Sequence, residues 1–128
     1  MPNYELTQVN SQKVVREIEG GTCVVLHRMN GCIHCELFRP VWKKVGDHYN
    51  NKNKDPVLVS VEYTSMGLLP KSMQNVQGFP TLRAYRNAKP IAEFNDVRTY
   101  DAVVDFVEKY GTKQKETKPK TPSKKQKK

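Results

Sequence analysis

The chain of 128 residues predicts an α/β domain, with a central mixed β-sheet flanked by helices and the element order βαβαββα. Three observations carry this. Two short runs dense in β-branched residues, Thr22 to His27 and Val57 to Val61, read as strands buried on both faces. Between them lies an amphipathic helix, which completes a βαβ unit whose crossover should be right-handed. Two further β-type runs, Leu82 to Arg86 and Ile91 to Phe94, flank the tight connection Asn87-Ala88-Lys89 and read as an antiparallel hairpin. Parallel and antiparallel pairing together define a mixed sheet.

Tyr4 to Val9 alternates weakly and suits an edge strand. Asn10 and Ser11 are helix N-cap types. Val14, Val15 and Ile18 then share one helical face before Gly20-Gly21 stops the helix. The second helix, from Cys32 to about Tyr49, places Leu37, Phe38, Val41, Trp42, Val45 and Tyr49 on one stripe, with Lys43, Lys44 and Asp47 largely opposite. Asn50 to Pro56 is a polar loop. Thr64 to Gln77 is a short helical region broken by Gly67 and Pro70, and Gly78-Phe79-Pro80-Thr81 is a turn. Thr99 or Asp101 caps a last helix that buries Val103, Val104, Phe106 and Val107 and ends at Gly111.

The net charge of +9 is not spread over the fold. Residues 1–110 hold 14 Lys and Arg against 12 Asp and Glu, whereas residues 111–128 hold eight Lys against one Glu. Residues 1–110 therefore read as one domain with a modest core. Residues 111–128 read as a disordered tail, too poor in apolar side chains to fold. No repeat is visible at a period of roughly 20 to 50 residues. The longest apolar stretch near the front is Cys23-Val24-Val25-Leu26, so neither a signal-peptide core nor a membrane span is expected. A cytoplasmic, reducing compartment follows as the expectation. There, three cysteines suit redox or metal chemistry better than a disulfide framework.

Cys32-Ile33-His34-Cys35 places two cysteines where a strand hands over to a helix. Unpaired N–H groups and the helix dipole favour negative charge in that first turn. Such settings lower a cysteine pKa from about 8.5 to between about 3.5 and 7.5. Cys32, at the helix start, is the expected nucleophile. Cys35 lies one turn on, on the same side and close enough to close a disulfide with it. His34 can add an imidazolium or a hydrogen bond. A stabilised thiolate favours the reduced form, which makes the pair a better oxidant.

Taken with Pro40, five residues after Cys35, and with Gly78-Phe79-Pro80-Thr81 before the hairpin, this motif resembles the thioredoxin family over residues 4–110. The middle His is more similar to the Cys-x-His-Cys of protein disulfide isomerases and bacterial disulfide oxidases than to Cys-Gly-Pro-Cys. The resemblance implies a cis-proline at Pro80 packed against the dithiol, shielding it from metal. It implies a Phe79 backbone free to pair with an extended substrate, and Pro40 inside the helix. Gly31 and Ile33 flank the nucleophile and join Phe79 and Pro80 as substrate-binding candidates. Two positions depart from the family pattern: Gly31 stands where Trp is usual, and Leu26 stands where a buried Asp or Glu commonly helps deprotonate the second cysteine. Glu36, adjacent to Cys35, should face solvent.

A structural zinc site needs two more ligands, and Cys23, His27, His34 and His48 form no second close pair, so redox chemistry is favoured. Cys23 and Trp42 read as core residues. His27 and His48 give no reason to prefer function over packing. The lysine tail reads as a solvated extension, a nonspecific phosphate or nucleic-acid contact, or a nuclear import signal at Lys124-Lys125-Gln126-Lys127-Lys128. The expected function is exchange of protein disulfides through Cys32 and Cys35, without a cofactor in the domain, by a monomer. A flavin-dependent reductase or a sulfhydryl oxidase would regenerate it. The absence of a signal peptide points to reduction, whereas Cys-x-His-Cys points to oxidation or isomerisation, with a nuclear or virion-associated site as the alternative location. The other class of function open to the sequence is a non-enzymatic module tethered to a polyanion by its tail.

Overall fold

The computed structural model describes residues 3–49 and 56–111. The readings of a loop over residues 50–55 and of a tail over residues 112–128 lie outside the described residues. Five strands form one sheet in the order β1-β3-β2-β4-β5. These are β1 (Asn3–Glu5), β2 (Thr22–Arg28), β3 (Val57–Glu62), β4 (Thr81–Arg86) and β5 (Lys89–Glu93). β1 and β2 run parallel to β3, and β4 pairs antiparallel with both β2 and β5. The expected mixed sheet is what forms.

Side chains alternate across a strand, so β2 feeds two cores. Cys23 and Val25 pack with Val14, Ile18, Val59 and Tyr85 under α1 (Ser11–Glu19). Val24 and Leu26 pack with Phe38, Val45, Leu82 and Val103 under α2 (Ile33–Tyr49) and α3 (Tyr100–Phe106). Cys23 is fully buried, as its β-branched surroundings suggest, and burial pushes its thiol up to about 12.

His27 is a buried polar residue on the α1 side, with its Nε2 2.9 Å from Tyr85 Oη. Arg83 Nη1 donates to that same oxygen at 3.4 Å. Nδ1 has no hydrogen-bond partner among the described residues. Burial first, and the charge of Arg83 second, hold the imidazole down at about 4.

Several elements differ from the sequence reading. The first strand ends at Glu5 rather than Val9. Thr7 N donates to Asn10 Oδ1 at 2.9 Å and Asn10 N to Thr7 Oγ1 at 3.2 Å, and these reciprocal bonds turn the chain and leave Val9 exposed. Asn10 thus spends its side chain on the turn and does not cap α1. Leu37 is exposed, not part of the buried stripe. The inward stripe follows alternating steps of three and four, Cys35, Phe38, Trp42, Val45 and Tyr49, and Leu37 falls one position off it.

In place of a helical region over residues 64–77 broken by Gly67 and Pro70, two 3-10 turns form, Tyr63–Leu68 and Lys71–Met73; Pro70 lies between them, but Gly67 lies within the first and does not break it. The hairpin turn has Asn87 at φ 50° and Ala88 at φ 69°, the pattern of a type I′ turn. Thr99, rather than Asp101, caps α3, its Oγ1 accepting from Ala102 N at 3.2 Å. The last helix reaches Gly111 as expected, its end forming a π-helical turn, Val107–Gly111. Gly111 is buried, and a Cβ there would lie 2.7 Å from Val24 Cγ2. The residue is glycine because the helix presses directly on the central strand, so it belongs with the domain and not with the tail.

Candidate active site

Where β2 ends, the chain turns sharply into α2. Cys32 N donates to Met29 O at 3.3 Å, the hydrogen bond of a four-residue turn, and Gly31 in its third position has φ +83°. That is the positive φ a type II turn requires. No atom lies within 4 Å of a Cβ built on Gly31, so backbone conformation, not space, accounts for glycine where the resemblance leads one to expect Trp.

The turn delivers Cys32 to the N-cap of α2, one residue before the helix proper. Its carbonyl accepts Glu36 N at 3.0 Å, and its Sγ accepts Cys35 N at 3.3 Å. The sulfur therefore stands where a capping Ser or Asp oxygen would stand. The Cys35 thiol, donating to Cys32 Sγ, is the largest influence holding Cys32 below the usual thiol range. Backbone N–H groups of Cys35 and His34 and the charge of Arg98 act in the same direction. His34 enters through its backbone N–H, while its side chain is exposed.

Cys35 goes the other way. It is buried, and burial, with its donation to Cys32, raises its pKa. Its sulfur lies 3.5 Å from Met29 N. All three cysteines are free thiols in the structure. The pair is thus divided into a half-buried sulfur whose ionisation is favoured and a buried one whose ionisation is opposed.

The Phe79–Pro80 bond is cis, and Cys32 Sγ lies 3.7 Å from Phe79 O. The Phe79 ring packs edge-on to Tyr63, with centroids 5.7 Å apart. Pro80 lines a cleft of about 430 Å³ with Leu26, Phe38, Val97 and Arg98. A second cleft of about 420 Å³ reaches Cys35 from the other side of α2, between Leu26, Arg28, Trp42 and Ser60. Leu26, 3% exposed, borders both clefts. No carboxylate stands at that position, and Glu36 lies at the surface, 3.6 Å from Arg39. Ile33 and Leu37 project outward beside Cys32, at 65% and 66% exposure.

The fold therefore gathers Gly31, Cys32, Cys35, Phe79 and Pro80 in one place, with Ile33 and the backbone of His34 at its rim. Arg98 and Tyr63 were missed. Arg98 comes from a loop and Tyr63 from the start of the first 3-10 turn, both distant in sequence, and nothing in their local pattern signals which way they face. Among the described residues, no three His, Cys, Asp or Glu side chains gather where they could share a metal ion. No helix of the described residues is long and apolar enough to cross a membrane.

A five-stranded mixed sheet with a Cys-x-x-Cys at a helix N-terminus and a cis-proline facing it defines the class of thioredoxin-fold proteins. The match to the Thioredoxin family model spans residues 3–109, and the chain belongs to the thioredoxin family. It is 26% identical over 118 residues to human protein disulfide-isomerase A4, an alignment that covers 90% of this chain and 18% of that protein. It is 28% identical over 82 residues to rabbit protein disulfide-isomerase, covering 62% of this chain and 15% of the relative. The chain thus spans less than a fifth of the length of these relatives. The solution structure of the first thioredoxin domain of mouse protein disulfide-isomerase A4 superposes with a TM-score of 0.66 at 21% identity, covering 93% of this chain and 82% of that one.

Proposed function

We propose that the protein is a thiol-disulfide oxidoreductase acting on protein disulfides through Cys32 and Cys35. The Cys32 thiolate attacks one sulfur of a substrate disulfide. A new S–S bond forms as the old one breaks, and the departing substrate sulfur leaves as a thiolate that takes a proton from water. Cys35 then gives up its proton and attacks Cys32 Sγ, releasing the second substrate thiolate and closing the Cys32–Cys35 disulfide. The substrate has gained two electrons and the pair has lost them.

Run backwards, the same steps oxidise a substrate dithiol. The direction is set by the potential of the pair against its compartment, which we take to be cytoplasmic, and regeneration falls to an external redox partner. His34 tunes the Cys32 thiolate, and Gly31, Ile33, Phe79 and Pro80 form the ledge on which an extended substrate lies. Protein disulfide-isomerases among the relatives support this reading at the level of the family.

One observation carries it: the more accessible sulfur caps the helix, accepting Cys35 N at 3.3 Å, which favours its ionisation, and the sulfur beside it is buried, which opposes it. That is the division of labour attack and resolution need. The test is trapping. A Cys35→Ser variant should accumulate a mixed disulfide with a model disulfide protein through Cys32, and Cys32→Ser should form none. Equilibration of the intact pair against glutathione then gives the direction. Failure to form a Cys32–Cys35 disulfide at any glutathione ratio would end the proposal.

A further inference from the structure

The carboxylate of Glu62, at the end of β3, holds the loop before Cys32 and the turn after β3 at once. Glu62 Oε2 accepts Asn30 N at 3.0 Å, and Oε1 accepts both Thr64 N, at 2.9 Å, and the Thr64 hydroxyl. Asn30 is the second residue of the turn that ends in Cys32, and its N–H has no role in the turn's own hydrogen bond. The other limb leads through Tyr63 to Phe79, by the edge-on ring contact, and Phe79 O meets Cys32 Sγ. The circuit closes on the nucleophile.

We infer that Glu62 is a positioning residue for the dithiol, a two-oxygen clasp that fixes the Cys32 turn and the Phe79 ledge relative to one another. Glycine at position 31 gives the clasp its use. With no side chain to pack there and a wide choice of backbone conformation, the turn depends on its hydrogen bonds, and beside Cys32 N to Met29 O, Met29 N to Cys35 Sγ at 3.5 Å and Arg28 Nη1 to Asn30 Oδ1 at 3.0 Å, Glu62 supplies the one that reaches across to the turn after β3. A carboxylate suits the task because it presents two acceptors and no donor. A carboxamide has one of each, so it leaves an N–H facing an N–H at one limb. The charged neighbours are Arg28 on β2, paired in register with Glu62 and itself 2.6 Å from the Glu5 carboxylate on β1, and Arg98, whose charge acts on Cys32 beside the protonated Cys35 thiol.

This inference deepens the proposed redox role but is tested on the thiol alone. The measurement is the pH dependence of Cys32 alkylation by iodoacetamide, read by fragment mass at Cys32, on folded Glu62→Gln and Glu62→Ala. The two accounts of Glu62 differ in sign. If the clasp sets the sulfur in its cap, losing it frees the sulfur from its donors, and the Cys32 midpoint rises by about 0.2 to 0.7 of a pH unit. If Glu62 acts only as a nearby negative charge, removing it makes the thiolate easier to form and the midpoint falls.

Asn30→Pro supplies the rescue. It deletes the N–H held by Glu62 and places proline where a type II turn favours it, so the covalent ring takes over the hold on the turn while the Thr64 limb still depends on Glu62. In that background, with Asn30→Pro alone as the reference because it also removes the Arg28–Asn30 bond, Glu62→Ala should shift the midpoint by less than it does on its own. A downward or absent shift in the single variants, or an undiminished shift in the proline background, overturns the inference. A chain with no redox activity would still give this titration, so failure here is distinct from failure of the proposed function.

Discussion

Acidification from pH 7 to 4.5 should cost the fold about 2.5 kcal/mol through one side chain, His27. The imidazole is held at about 4 in the folded protein, against about 6.5 in an unfolded chain. Above pH 6.5 both states carry it neutral, and it adds no pH dependence. As the pH falls below 6.5, the unfolded chain takes up a proton that the fold refuses, so stability drops. The slope approaches about 1.4 kcal/mol per pH unit and levels off near pH 4, once the folded state also binds the proton.

Glu62, held at about 2 chiefly by the Thr64 hydroxyl, loses its own contribution only as the pH falls from about 4.5 towards 2, so the window from 6.5 to 4.5 isolates His27. Urea titrations at pH 7, 6, 5 and 4.5 measure the effect, and the midpoint should move down by about 1 M or more. His27→Gln keeps an acceptor for the Tyr85 hydroxyl and removes the titration, so it should be flat over the same range. A wild-type midpoint that does not move, or a glutamine variant with the same slope, would refute the account.

Three other outcomes are expected. Gly31→Ala, which meets no atom but must hold φ +83°, should destabilise the protein by about 1 to 2 kcal/mol; a neutral thermal melt would contradict the turn assignment. Gly111→Ala drives a methyl to 2.7 Å from Val24 Cγ2 and should cost about 1 to 3 kcal/mol, measured by denaturant unfolding. In the native protein at pH 7, iodoacetamide should modify Cys32 readily and leave Cys23 untouched until the chain is unfolded, since only Cys32 is both accessible and depressed; equal rates would count against both assignments.

The strands and helices were legible because their signals are local. Two β-branched runs, one amphipathic stripe and two Gly stops need no knowledge of what lies across the sheet. The dithiol was legible for the same reason, being a four-residue pattern at an element boundary. Errors arose where a side chain answered to a partner or a register the pattern does not encode. Leu37 sits one step off the stripe that its neighbours define, and Asn10 bonds backwards into its own turn. Gly111 does end the last described element, but its smallness answers also to Val24, far away in sequence, which no local pattern shows. The same limit hid Glu62 and Arg98, whose relation to Cys32 exists only once the sheet has brought their loops together.

The close packing of Gly111 on Val24 has a temporal consequence. During synthesis β2 emerges early, but the segment that seals this part of its surface is made 87 residues later. At about 5 to 20 residues per second, that is a wait of roughly 4 to 17 s in which α2 can cover Val24 but the last helical turn cannot. Completion of this core must therefore follow emergence of residue 111, and a ribosome stalled with only the first hundred residues exposed would present a central strand that α2 covers but the last helix does not. For this chain, the last turn of helix is the event that ends its exposure to other nascent chains.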